Sequence, residues 1–219
     1  MSPEQIIARR AAAELRSGEV VNLGIGIPTL VPAELPSELE LILHTENGAV
    51  GLGDALPDRE LHAVLQLADI VSPWTVGRYR DLKGVARHAD KYWRGDIAWC
   101  KDHQLQYLPV VFPGFSWHHQ KGDELNKIPR LKGQFFWSQI AAAKRAGAEM
   151  IYVAMFDEVD EGTAIFKCTN QPPTGDGVPF VTYEGLPSDH YLRLAGQAGK
   201  LLRGELPPSE TISAMKDFR

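Results

Sequence analysis

The chain has 219 residues, 44% of them hydrophobic and 23% charged, with a formal net charge of −5. That is enough apolar material for one large domain or two small ones with a buried core. The acidic balance argues against a nucleic-acid binder, which carries a basic patch or stripe. No stretch approaches the ~18 consecutive apolar residues that cross a bilayer. The opening "MSPEQIIARRAAAELRSGE" is charged throughout and lacks the apolar centre of a secretory leader. A cytoplasmic protein is therefore expected, with Cys100 and Cys168 as reduced packing residues.

In chain order, Ile6, Ile7, Ala11 and Leu15 recur at helical spacing, and Ser17-Gly18 ends that helix. "EVVNLGIGIPTL" reads as a short strand entering a glycine-rich turn, and "LELILHTENGAVGLG" as a second strand and turn. Past a proline-containing joint at Asp54–Asp58 the pattern changes. Leu61, Val64, Leu65 and Ala68 predict a short helix, and "ADIVSPW" a buried strand stopped by Pro73. "WRGDIAWCKDHQ" predicts a helix, "LQYLPVVFPGF" a strand, and "SWHHQKGDELNKIPRLKGQ" a long polar loop. The helix "FWSQIAAAKRAG", the strand "AEMIYVAMF" and the helix "PSDHYLRLAGQAGKLLRG" follow. Strand and helix alternate over residues 60–203, so a parallel sheet faced by helices is expected.

Two stretches carry candidate chemistry. "NLGIGIPT", with Gly24 and Gly26, fails the dinucleotide-binding pattern because Thr29 stands where a third glycine belongs. It reads as a tight turn. "MFDEVDEGT" sets four acids among five positions at the end of an apolar strand, where parallel α/β folds place their active sites. Glu158 and Glu161 are three apart, so a helical turn would project both to one side. Paired carboxyls resist joint ionisation, which yields one proton donor and one acceptor, as glycoside hydrolysis requires. Trp74, Arg78 and Tyr79 follow one predicted strand, and Trp117 and His118 follow the next. Flat aromatic faces suit sugar rings, and Arg and His suit hydroxyls. The same aromatics equally suit core packing. The four acids equally suit a solvated rim.

The stretch "AAAELRSGEVVNLGIGIPTLVPAELP" followed by "LILHTENGAVGLG" resembles the opening of the β subunit of family I CoA-transferases, the 3-oxoacid and acetate/acetoacetate group. The resemblance covers residues 6–53. It implies that Glu46 attacks an acyl-CoA and carries CoA as a thioester, on a loop shaped by Gly24, Gly26, Gly48, Gly51 and Gly53. Thr45 replaces the usual serine before that glutamate. Coenzyme A would then be a substrate and an α-type subunit the partner.

"ADIVSPWTVGRY", "YLPVVFPGFSWH", "IPRLKGQFFW" and "YVAMFDEVDEGTAIFKCTN" resemble bacterial glycoside hydrolase family 71/99-like proteins, of xylosidase/arabinosidase type, over residues 68–204. "DEVDEGT" is similar to the E-W-H-E-G-T motif of the endo-α-mannosidase branch, with Val159 and Asp160 in place of Trp-His. The resemblance implies Glu158 as the base toward a sugar 2-hydroxyl and Glu161 as the acid at the glycosidic oxygen, with no cofactor.

The expected fold is thus α/β: a partial (β/α) barrel of about four βα units, preceded by a short α/β fragment of CoA-transferase type. Residues 1–54 and 55–219 are the expected domains. Three functions stay open: a glycoside hydrolase inactivated by truncation or rebuilt as a homodimer, a CoA-transferase β-type chain, and a non-catalytic carbohydrate-binding remnant. The substrate is a small molecule or an oligosaccharide. No nucleic acid or membrane partner is expected.

Overall fold

A computed structural model describes residues 2–23, 26–45, 69–175, 177–207, 209 and 211–212. The chain divides into two compact units, Met1–Asp69 and Ile70–Arg219. The joint expected at Asp54–Asp58 and the helix expected over residues 61–68 lie outside the described residues. Among the described residues, no helix is long and apolar enough to cross a membrane.

The first unit opens with α1, Pro3–Ala12. Ser2 caps it reciprocally: its hydroxyl accepts from Gln5 N at 3.3 Å, and its own N–H donates to Gln5 Oε1 at 2.8 Å. The helix stops at Ala12, short of the expected Ser17-Gly18. Its buried face is Ala8 and Ala12, one turn apart, whereas Ile6 and Ile7 are 56% and 54% exposed. Strand β1, Val20–Leu23, pairs in parallel with β2, Ile42–Thr45, in the register Val20↔Ile42 to Leu23↔Thr45. Parallel strands need a crossover, and here a 3-10 helix over Ile27–Glu34 provides it, entered through Gly26 at φ +95°. Pro32 inside that helix lacks an N–H, which is incompatible with a regular α-helical ladder. Leu23 and Val31 pack with Ala8 and Ala12.

The second unit mixes helices with small parallel sheets. Strand β3, Ile70–Val71, pairs with β4, Gln106–Tyr107; β5, Val110–Val111, pairs with β6, Tyr152–Val153. The segment from Gln106 to Val111 is in effect one pass shared between two neighbours. Leu108 N donates to Val71 O on one side and Tyr152 N to Pro109 O on the other, both at 2.9 Å. Pro109 has no N–H of its own, so the expected single strand is divided there. The passes are parallel and lie side by side in chain order, which is βαβ topology.

Helices connect them. Helix α2, Leu82–His88, a π turn, Ala89–Trp93, and α3, Arg94–Asp102, run on without a break. The short α4, His118–Lys121, and a 3-10 turn, Leu131–Gly133, interrupt the expected polar loop. Helices α5, Gln134–Ala146, and α6, His190–Leu202, complete the unit. Its core is aromatic, with Trp93, Phe112, Phe135, Phe136 and Trp137 at 1% exposure or less. The buried Gln139 amide ties α5 to the sheet: it donates to Phe112 O at 2.7 Å and accepts from Phe112 N at 3.1 Å and from the Tyr79 hydroxyl at 3.0 Å. Every one of those polar groups is buried, and the amide satisfies them together. Cys100 is buried and Cys168 half-buried, and both are free thiols.

Candidate active site at the strand ends

Each parallel pass of the second unit ends in a loop bearing candidate residues. After β3, Trp74 is half-buried with its ring 6.3 Å from that of Tyr152. The buried Thr75 hydroxyl donates to Val110 O at 2.5 Å, and Arg78 N to Thr75 O at 2.9 Å, closing a turn. Arg78 is exposed. Tyr79 lies elsewhere from the expected sugar-facing surface: it is 5% exposed, inside a cluster with Trp93, Phe112 and Phe135. Burial raises its hydroxyl pKa, so it stays a protonated donor to Gln139.

After β5, Trp117 packs on Phe115 with ring centroids 4.5 Å apart and lies against Gly77, where an added Cβ would sit 2.9 Å from the indole. That contact joins the first loop to the second, and only glycine accommodates it. The buried Ser116 hydroxyl accepts from His118 N at 3.3 Å and from Asn126 N at 3.2 Å. His118 Nδ1 is 2.7 Å from the Asp123 carbonyl oxygen. A carbonyl only accepts, so the neutral imidazole carries its proton on Nδ1.

After β6, the acids fold into a tight turn rather than the expected helical one. Gly162 N donates to Val159 O at 3.2 Å, while Glu158 O accepts from Thr163 N at 3.1 Å and Ala164 N at 3.0 Å. This turn sorts the cluster: Asp157 and Asp160 are exposed, Glu158 and Glu161 half-buried. Glu161 is tied twice to the second loop, its carbonyl accepting from Ser116 N at 2.7 Å and its carboxylate Oε1 from Gln120 Nε2. Burial raises the Glu158 carboxyl pKa, and the charges of Asp160 and Asp157 add to it. Burial raises that of Glu161 too, opposed by the Gln120 hydrogen bond and reinforced by the charges of Glu158 and Asp160.

Behind the turn lies Arg130, 1% exposed. Its Nη2 donates to Ala164 O at 2.8 Å, and its guanidinium stands 4.9 Å from the Tyr183 ring and 4.5 Å from that of Tyr191. The Tyr183 hydroxyl also donates to Ala164 O, at 3.1 Å. The segment leaving the acids is thereby fixed on both sides. Gln120, Ser116 and Arg130 were not singled out from sequence. They sit in a polar loop with no periodicity, 41 residues from Glu161 in the case of Gln120, and no local signal points to them.

The structure therefore brings Glu158, Glu161, Trp117 and His118 onto neighbouring loops, with Trp74 on the third. A half-buried carboxyl with a raised pKa beside a second carboxylate is equipped for proton transfer in both directions. In the first unit, β2 ends at Thr45, the residue before Glu46. Glu46, Gly24, Gly48, Gly51 and Gly53 lie outside the described residues. Of that loop set Gly26 is described, at the start of the crossover.

Residues 5–82 match the coenzyme A transferase family model. This reaches past Gly53, where the motif resemblance ends. The chain is 55% identical to the acetate CoA-transferase subunit beta of Escherichia coli over 53 residues, 24% of each chain. It is 49% identical to a probable coenzyme A transferase subunit beta of Bacillus subtilis over 49 residues, 22% of this chain and 23% of that one. The chain thus spans about a quarter of the length of the curated relatives it matches. Its N-terminal part resembles a CoA-transferase β subunit. Among solved structures, two of the GH99 endo-alpha-mannosidase from Bacteroides thetaiotaomicron are similar at 24% identity. Their TM-scores are 0.48 and 0.49, over 54% and 56% of this chain and 37% and 35% of theirs.

Proposed function

We propose that the second unit hydrolyses a glycosidic bond with Glu158 and Glu161. The observation that carries this is the Glu158–Gly162 turn at the end of β6, which leaves two glutamates half-buried and two aspartates exposed. Glu161, half-buried and held by Gln120, is the acid that protonates the glycosidic oxygen. Glu158 is the base toward the neighbouring 2-hydroxyl. Trp74 and Trp117 offer ring surface to the sugar, Arg78 offers donors to its hydroxyls and His118 Nε2 an acceptor, and no cofactor takes part. The side-by-side parallel passes fit part of a (β/α) barrel. Its open sheet edges need cover, which a second copy of the chain would supply.

The test is turnover of a panel of aryl glycosides by the wild-type chain and by Glu158→Gln and Glu161→Gln. A loss of about 10²-fold or more in kcat for each variant is expected of an acid–base pair. Undiminished turnover in either variant, or none in the wild type, refutes the reading.

A second reading rests on the family match over residues 5–82. In it, Glu46 carries CoA as a glutamyl thioester when an α-type subunit completes the site. Incubation with acyl-CoA and a candidate α subunit is expected to add a mass on Glu46 that hydroxylamine removes. Absence of that adduct eliminates this reading and leaves the first untouched.

A further inference from the structure

We infer that a groove beside the β3–α2 loop binds a small molecule carrying a tetrahedral oxyanion, a phosphate or sulfate ester. The groove has a volume of ≈ 540 Å³ and is lined by Arg78 and Arg80 from the loop and by Arg87, His88, Lys91 and Tyr92 from the helix. It goes beyond the glycosidase reading, with which it shares Arg78 and the Trp117 ring, and its test reads anion binding rather than turnover.

The helix and the π turn that follows it supply cations to one groove. Gly84, Arg87 and His88 share one face of α2, and Lys91, in the π turn that continues it, lines the same groove. Arg87 and Lys91 are like charges at i,i+4, an arrangement that disfavours an isolated helix. The loop then adds Arg78 and Arg80 opposite them. Four permanent cations thus converge in a chain whose net charge is −5. One carboxylate lines the groove, that of Asp81, and it is engaged as the α2 cap, accepting from Gly84 N at 2.6 Å. Among the described residues, none of the four cations forms a salt bridge.

All four cations are exposed, and two of them lie over aromatic rings. Arg80 stands 5.7 Å over the Trp117 ring and Lys91 5.1 Å over that of Tyr92. Gly84 lets the helix close on the loop, since a Cβ there would meet Tyr79 Cβ at 3.0 Å. At the floor, the half-buried His88 ring packs 4.9 Å from Tyr79. Burial and the nearby Arg78 lower the His88 pKa against the opposing pull of Asp96, so at neutral pH the ring offers an N–H without adding a fifth charge. Guanidinium forks match the oxygens of phosphate and sulfate, and lysine adds a point charge. The volume lies within the range of metabolite pockets, which favours a small ligand over a polymer.

The experiment is calorimetric titration of the full chain at low ionic strength with inorganic phosphate, pyrophosphate, sulfate and a single-stranded oligonucleotide. The same titrations use Arg87→Ala, the double variant Arg87→Glu with Lys91→Glu, and the exposed control Lys167→Glu. Saturable binding is expected, weakened about tenfold or more in the double variant and less in Arg87→Ala, with the control unchanged. The stronger of the phosphate and sulfate arms identifies the ester. Unsaturable heats, or equal weakening in the control, overturn the proposal. So does tight binding of a single-stranded oligonucleotide that phosphate fails to displace, because the ligand is then a polymer.

Discussion

The described buried side chains of Met1–Asp69 are Ala8, Ala12, Leu23 and Val31, whereas Ile70–Arg219 encloses a cluster of tryptophan, phenylalanine and tyrosine rings. Stabilisation scales with apolar area removed from water, and an aromatic ring buries several times what an alanine does. Kinship is distributed the other way. The 55% identity to a CoA-transferase β subunit covers 24% of the chain, and the family match begins at residue 5. The region with the clearest relatives therefore has the thinner described core. The region with the aromatic core carries a carboxylate turn tied to the loop after β5. Sequence identity preserves motifs, while stabilisation needs buried area, and among the described residues the two fall in different units.

Core truncation tests that separation most strongly. All five tryptophans lie between Trp74 and Trp137, inside the second unit, so their fluorescence follows that unit alone while far-UV circular dichroism follows both. Phe135→Ala is expected to cost ~3–5 kcal/mol and to lower the urea midpoint seen by fluorescence. Leu23→Ala, costing about 2 kcal/mol, is expected to move only the dichroism. An equal shift of the fluorescence midpoint by Leu23→Ala would mean that the units unfold as one, and the contrast fails.

The helix caps sharpen the same comparison at smaller amplitude. Asp81 caps α2 through a 2.6 Å bond in a partly buried setting; Ser2 caps α1 through a 3.3 Å bond in full solvent. Removing a cap costs about 0.5–2 kcal/mol, so Asp81→Ala belongs near the upper end and Ser2→Ala near the lower. Fluorescence should register the first and not the second.

What could be read from sequence divides along a similar line. Helices α5 and α6 were legible because their apolar residues recur at helical spacing and glycine follows each end, Gly147 and Gly204. Helix α2 was missed: Gly84 weakens its propensity, and the cues that survive, Asp81 and its cap of Gly84, are subtle. In α1 the helix was legible but its buried face was not, since periodicity favoured Ile6 and Ile7 and the packing chose Ala8 and Ala12. Tyr79 looked like a strand-end aromatic, and only tertiary structure shows it bonded to Gln139, 60 residues away. The carboxylates were legible by their place after an apolar strand. Their division into half-buried glutamates and exposed aspartates was not, because a turn held by Ser116 and Gln120 has no sequence period.

The smallest effect is also the most diagnostic of the site. Glu158 and Glu161 have carboxyl pKa values raised above the ordinary 4.5 in the folded chain. The native state therefore binds more protons than the unfolded state in the window above pH 4.5, and stability falls as pH rises through the folded pKa values. This is opposite in sign to a salt-bridged carboxylate. Glu161→Gln removes one of these burdens while keeping an oxygen for Gln120, so it should raise the urea midpoint at neutral pH, with the gain fading toward and below pH 4.5. A catalytic group is commonly retained at some expense of stability. If the same substitution abolishes glycoside cleavage and stabilises the fold, Glu161 is held for chemistry. If it destabilises the second unit at pH 7, the Gln120–Glu161 contact is a structural tie, and the strand-end cluster belongs with the core it borders.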